Sequence, residues 1–113
     1  MLPFERLQKL NTKENLWIYI LFLLKEREVY PIRKKDSSLS NGVYGWELRS
    51  LIEKRFDFRS GLITPYRVLY RLENDGFVKS KMEDRKRIYQ ITKKGELELE
   101  KAKNFYRQIL TQI

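Results

Sequence analysis

Thr64-Pro65-Tyr66-Arg67-Val68-Leu69-Tyr70-Arg71-Leu72-Glu73-Asn74-Asp75-Gly76 is the stretch from which the fold is read. Threonine is a good helix cap, and proline suits the first helical position because its missing N–H costs nothing there. Val68, Leu69 and Leu72 make one apolar stripe at helical spacing, and Gly76 supplies a left-handed stop. The spacing predicts a helix over 64–76. Its opposite face then carries Tyr66, Arg67, Tyr70, Arg71 and Asn74.

Two short strands are predicted downstream, Phe77–Met82 and Lys86–Ile91, with a polar tip over Glu83–Lys86. Thr92 opens a last helix that runs to the terminus, with Gly95 an unfavourable residue in its first turn. Upstream, Leu48, Leu51, Ile52 and Phe56 share one helical face, which predicts a helix from Gly45 to about Arg55–Asp57. Residues 28–43 read as a connection in which Val29–Ile32 suits a short strand. Asn11 or Thr12 is expected to cap a helix reaching about Arg27, with a short helix over Phe4–Leu10 before it. The order is helix, helix, helix, hairpin, helix. The expected fold class is mainly α (α+β), a winged helix-turn-helix with a two-stranded wing and a C-terminal dimerisation helix. One domain is expected over 1–113. Residues 12–91 form the helix-turn-helix core and 92–113 the dimerisation helix.

Composition narrows the function. The chain has 113 residues, no cysteine and no histidine. Disulfides, thiolate or imidazole metal sites, and histidine-dependent acid–base chemistry are excluded. No acidic cluster has ligand spacing, so neither metal nor cofactor is expected, and an enzyme is not. No apolar run approaches the roughly 20 residues needed to span a bilayer, which makes a cytoplasmic location the default.

Net charge is +9, and residues 77–94 alone carry 7 basic and 2 acidic groups. Such a local excess is the footprint of a polyanion partner. Lys79 and Lys81 alternate on one strand, and Arg85, Lys86 and Arg87 crowd the hairpin tip. Three consecutive cations there do nothing for folding but suit a phosphate backbone or a narrow minor groove. On the helix before them, Arg67 and Arg71 present forks that match guanine edges or phosphates. Tyr66 and Tyr70 stand beside them, and Thr64 is placed to meet a phosphate. Double-stranded DNA is therefore the expected partner.

A homodimer is expected from two further features. Leu16–Leu24 is apolar on all sides of its helix, including Trp17 and Leu21, and one thin domain covers one face. Leu99, Ala102, Tyr106, Ile109 and Ile113 follow a seam spacing of 3 and 4, widened by Phe105 and Leu110. Trp17, Tyr19, Phe22, Phe105 and Tyr106 are read as core rather than as an aromatic ligand site. No motif calls for a small-molecule effector.

Several segments together resemble the PadR-like transcriptional regulators. They are Tyr44-Gly45-Trp46-Glu47-Leu48, Thr64-Pro65-Tyr66, Arg71–Val78 and Ile88-Tyr89-Gln90-Ile91-Thr92-Lys93-Lys94-Gly95. The resemblance covers about residues 16–100. It implies a winged-helix dimer joined through its first and last helices, binding operator DNA, usually as a repressor. It also places Thr64 and Tyr66 on the recognition helix, Arg85–Arg87 on the basic wing, and Tyr89 in a structural role. Gly61-Leu62-Ile63 stands where the family often has Ser-Pro-Gly, and the 28–42 connection is longer than the family's. Two other readings stay open, a non-specific architectural DNA binder and a winged-helix module that binds protein.

Overall fold

The computed structural model describes residues 1–31 and 41–113. Among these described residues nine elements follow one another: α1 (Pro3–Glu14), α2 (Leu16–Val29), β1 (Val43–Tyr44), a 3-10 turn (Gly45–Glu47), α3 (Leu48–Phe56), α4 (Thr64–Asn74), β2 (Val78–Glu83), β3 (Lys86–Ile91) and α5 (Lys93–Gln112). The helices far outweigh the sheet, as the patterning predicted.

The N-terminal helices divide differently from the sequence expectation. Pro3 starts α1, which runs through Asn11 and Thr12 to Glu14. The break falls at Asn15, whose side chain bonds Asn11 Oδ1 at 3.0 Å, and α2 begins at Leu16. Neither Asn11 nor Thr12 caps a helix, because proline had already fixed an earlier start. The strand expected at Val29–Ile32 is not found in its described part: Val29 closes α2, and Ile32 lies outside the described residues, as does most of the connection.

α2 is the spine of the molecule. It packs against α1, α3, α4, α5 and β3. Leu16, Ile20, Leu21, Leu23 and Leu24 are buried, and Trp17, Ile18 and Phe22 are half-buried against the same core. The all-round apolar helix is thus largely covered by its own chain, five elements sharing the task that one face was expected to do. Leu21 is 0 % exposed, so its place among partner-facing residues is corrected to the core. Tyr19 and Phe22 pack edge-on against Phe56, and Tyr19 also against Phe58.

The sheet has three strands in the order β1-β3-β2, all antiparallel. The two-stranded wing therefore gains β1, which the sequence reading missed: Val43 and Tyr44 pair with Tyr89 and Ile88. Two residues are too short for an alternation signal to show. Arg27, buried at the end of α2, fixes this strand by donating to the Gly42 carbonyl at 3.1 Å, with Glu47 3.6 Å away.

The hairpin between β2 and β3 is tighter than expected. Glu83 pairs with Lys86, leaving only Asp84 and Arg85 in the turn, at φ 50° and 64°. Two left-handed residues match the twist of the strands they join. Thr92 caps α5 as predicted, accepting from the Gly95 N–H at 3.1 Å. Gly95 then answers its own helix penalty: a Cβ there would lie 2.1 Å from the Phe77 carbonyl oxygen. The first half of α5 is anchored in the core through Leu99, and most of the second half stands in solvent.

Candidate nucleic-acid interface

The interface is built on α4. Pro65, Leu69 and Leu72 are buried and Val68 is half-buried, which turns the opposite side outward. Tyr66, Arg67, Tyr70, Arg71 and Asn74 are all exposed, Tyr70 by 77 %. The helix ends as its sequence requires. Gly76 has φ 84°, and the Phe77 N–H closes back on the Leu72 carbonyl at 2.8 Å. Its start is corrected in one detail. Ile63 occupies the cap position without a side-chain bond, and Thr64 is the first helical residue. The Thr64 hydroxyl is therefore not spent on capping, and the residue is exposed.

The pleat of the hairpin divides the predicted wing cations. Ser80, on β2, donates to the Glu73 carboxylate of α4 at 2.6 Å and accepts from Arg87 Nη1 at 2.9 Å. Arg87 is thus aimed along the helix-facing side of the wing. Side chains alternate across a strand, so Lys79 and Lys81 stand on the other face; Lys86, opposite Glu83 at the strand end, shares that face by register but turns its ammonium to the Trp46 ring. The cations grouped by sequence do not form one surface. Arg87 and Tyr66 line one cleft, and Tyr66 shares the exposed side of α4 with Arg67 and Arg71, while Lys79 and Lys81 lie on the opposite face of the hairpin from Arg87.

Arg85 holds the tip at a cost. A non-glycine residue in the left-handed region loses roughly 1–2 kcal/mol, and glycine would avoid it. Arg85 is exposed there, at φ 64°, so its side chain does not pack in the core.

The sequence reading did not single out the wall between helix and wing. Trp46, in the 3-10 turn, stacks on Tyr44 with centroids 6.0 Å apart and planes 17° apart. The Lys86 ammonium lies 5.5 Å from the Trp46 centroid. Tyr44 donates to Glu83 at 3.1 Å, tying the stack to the hairpin. Tyr66 packs over Gly45, where a Cβ would lie 3.0 Å from its ring. Tyr89 is buried behind it. Burial, with the Glu73 charge adding to it, raises the Tyr89 hydroxyl above the ordinary tyrosine value against the opposing pull of Arg87. The only signal in the sequence was an aromatic pair flanking a glycine.

The seam residues of α5 separate in the structure. Leu99 is 2 % exposed and belongs to the chain's own core, which corrects its assignment to a partner surface. Ala102 and Ile109 are half-buried, and Phe105, Tyr106, Leu110 and Ile113 are exposed. Phe105 and Tyr106 are therefore not core within one chain, because α5 projects beyond the elements that would cover them; their place in the seam between chains is a separate expectation. Among the described residues no group of acidic side chains is placed to hold a metal ion, and no helix is long and apolar enough to cross a membrane.

Residues 37–101 match the model of the transcriptional regulator PadR-like family, more than half of the chain. The chain belongs to that family. No curated protein matches the sequence. Solved structures agree on the fold. A PadR family transcription regulator from Clostridium difficile is 23 % identical with a TM-score of 0.64, covering 84 % of this chain and 90 % of that one. A PadR-like transcriptional regulator from Bacillus cereus is 22 % identical with a TM-score of 0.65, over 90 % of both chains. F93 from STIV, described as a winged-helix DNA-binding protein, is 25 % identical with a TM-score of 0.62, covering 86 % and 91 %. The chain is a PadR-like transcriptional regulator with the winged-helix fold, and its family is one of regulators rather than enzymes.

Proposed function

We propose that this PadR-like chain binds a palindromic operator in double-stranded DNA as a homodimer and acts there as a repressor. The observation that carries the DNA reading is the outward face of α4, where Arg67 and Arg71 stand beside Tyr66 and Tyr70, all four exposed among the described residues. In this reading α4 enters the major groove, where arginine forks read guanine and tyrosines meet sugar, phosphate or thymine methyl. Thr64 meets a phosphate at the helix start. Arg85, Lys86 and Arg87 follow the backbone or the adjacent minor groove. Lys79 and Lys81, on the far face of the hairpin, are left out of the contact set.

The dimer rests on exposed apolar side chains. α1 has no buried residue, yet Phe4 and Leu7 on it and Leu2 just before it are 63–66 % exposed. Phe105, Leu110 and Ile113 on α5 are 60 %, 72 % and 93 % exposed. Asn15 donates to the Tyr106 hydroxyl at 3.3 Å, which brings α5 to the junction of α1 and α2. An apolar region on this scale marks an interface rather than a solvent face, and a second copy with Trp17, Ala102 and Ile109 at the rim would cover it. Two recognition helices would then sit roughly 34–36 Å apart, one turn of duplex.

Selection from random duplexes yields the operator, and fluorescence anisotropy then measures affinity against salt. Removing Arg85 and Arg87 together should flatten the log–log slope by about one to two units per half-site. Binding insensitive to salt would sink the wing assignment. Sedimentation equilibrium tests the dimer: Leu110→Glu should give a folded monomer, and a monomeric parent at micromolar concentration refutes the pairing.

A further inference from the structure

The cleft between α4 and the wing holds a large aromatic that folding does not account for. Trp46 is 58 % exposed, an unusual fate for the bulkiest apolar side chain. It is also in contact with neighbours on the hairpin side. Tyr44 stacks on it, and Tyr44 is itself bonded to Glu83 of the hairpin. Lys86 rests its ammonium near the same ring, so a cation is already placed at the mouth. The cleft, about 510 Å3, is lined by Gly45, Trp46, Tyr66, Lys86, Arg87 and Tyr89. Arg87 enters it pre-aimed by Ser80. Tyr66 belongs both to this cleft and to the outward face of α4, so the two surfaces are continuous.

Cations at the rim of an aromatic floor suit one chemistry: an anionic group carrying an apolar ring or pucker beside it. A nucleotide of the DNA backbone has both, a phosphate and a deoxyribose. We propose that Trp46 is a DNA-contact residue, the floor of a seat for one sugar-phosphate unit where a strand passes between recognition helix and wing. The deoxyribose packs on the indole, and the phosphate lies between Lys86 and Arg87. Because Tyr44 and Lys86 hold the indole in place beforehand, little side-chain freedom is lost on binding. The contact is to backbone, so it adds affinity without reading sequence. This rests on the DNA-binding reading above and goes one residue beyond it.

The test uses the full chain. A Trp17→Phe variant leaves Trp46 as the sole tryptophan, since the chain has two. Titrating duplex should change the Trp46 emission along the same curve as anisotropy of the labelled DNA. Trp46→Ala should weaken binding about tenfold, equally on operator and scrambled duplex, the size expected for one lost aromatic packing contact. Trp46→Phe should lose roughly threefold or less, because a ring remains. Combining Trp46→Ala with Lys86→Ala should cost less than the two separately, since both serve one nucleotide. Trp46 emission unchanged at saturating duplex overturns the seat, and so does parent-like affinity of Trp46→Ala. A loss confined to the operator also overturns it, by making Trp46 a base reader. A parent chain that binds no duplex even at about 50 mM salt removes the DNA-binding reading itself, and the seat with it.

Discussion

Ser80 joins the wing to the recognition helix: its hydroxyl donates to the Glu73 carboxylate at 2.6 Å while accepting from Arg87. One small side chain thereby ties α4 to the wing and gives a wing cation its direction. Ser80→Ala should cost about 1 kcal/mol in thermal or chemical unfolding, the worth of a hydrogen bond to a charged group less solvent compensation. It should also weaken DNA binding about threefold, since Arg87 loses its guide. Unchanged affinity with lowered stability would make the link purely structural.

Arg85 gives a trade between stability and binding. It occupies the left-handed region at φ 64° in a two-residue turn. Arg85→Gly relieves the strain, partly offset by the greater freedom of glycine in the unfolded chain. Stability should rise by about 0.5–1 kcal/mol while DNA affinity falls and its salt slope flattens by about 0.9. A variant that gains stability and binds as before would mean that the tip does not touch DNA.

Gly95→Ala sets two effects against each other. Helix propensity alone predicts a gain of about 1 kcal/mol. The Cβ, however, would stand 2.1 Å from the Phe77 carbonyl oxygen and 2.8 Å from Ile91 Cγ1. Neither backbone nor buried isoleucine can yield by an ångström cheaply, so overpacking wins and the variant should lose about 2–3 kcal/mol. Calorimetry decides the sign.

The last case shows what the sequence could and could not tell. Gly95 read as a helix fault because propensity is a local quantity, whereas its reason is the carbonyl of Phe77, which lies beside it only in the folded chain. The recognition helix was legible for the opposite reason: proline at its start, one apolar stripe and a terminal glycine are all local. Thr92 was legible as a cap in the same way. β1 was not, because two residues show no period, and the strand exists through pairing with Tyr89 and Ile88. Leu21 and Leu99 were assigned to a partner because periodicity marks a buried face without saying which chain buries it. Trp46 was read only as part of the Tyr44–Leu48 segment and not as a contact residue, because Lys86 reaches its ring only in the folded chain.

Stability and DNA binding should change little between about pH 6 and 9, because the chain has no histidine and no cysteine to titrate there. The alkaline limit is different. Burial and Glu73 raise the Tyr89 hydroxyl above its ordinary value, so the folded state holds that proton more tightly than the unfolded one. Its contribution is fully present below about pH 10 and is lost as pH rises through the folded-state value. Tyr89→Phe should flatten the alkaline limb of a stability–pH curve, and an unchanged limb would place the loss elsewhere.

Arg67 and Arg71 should separate specific from non-specific binding. Both are exposed on α4, opposite the buried Leu69 and Leu72, so neither is needed to hold the helix. Substitution by alanine should leave thermal stability within about 0.5 kcal/mol of the parent, as for other exposed positions. A bidentate contact to guanine discriminates by about 1–3 kcal/mol, whereas a phosphate contact weakens every duplex alike. Arg67 lies nearer than Arg71 to the centre of the outward face, opposite buried Leu69 and Leu72, and a helix entering the major groove leads with that face. Arg67→Ala should therefore cut operator affinity at least tenfold more than affinity for scrambled duplex, which corresponds to about 1.4 kcal/mol of lost discrimination. Arg71, a turn further along, should share the effect if the helix lies flat in the groove, and should act only on salt-dependent affinity if it enters by its N-terminal end. Measuring both variants on both duplexes thus reports the tilt of the helix as well as its role. Equal losses on operator and scrambled DNA for both arginines would assign them to phosphates and leave a non-specific architectural binder as the function.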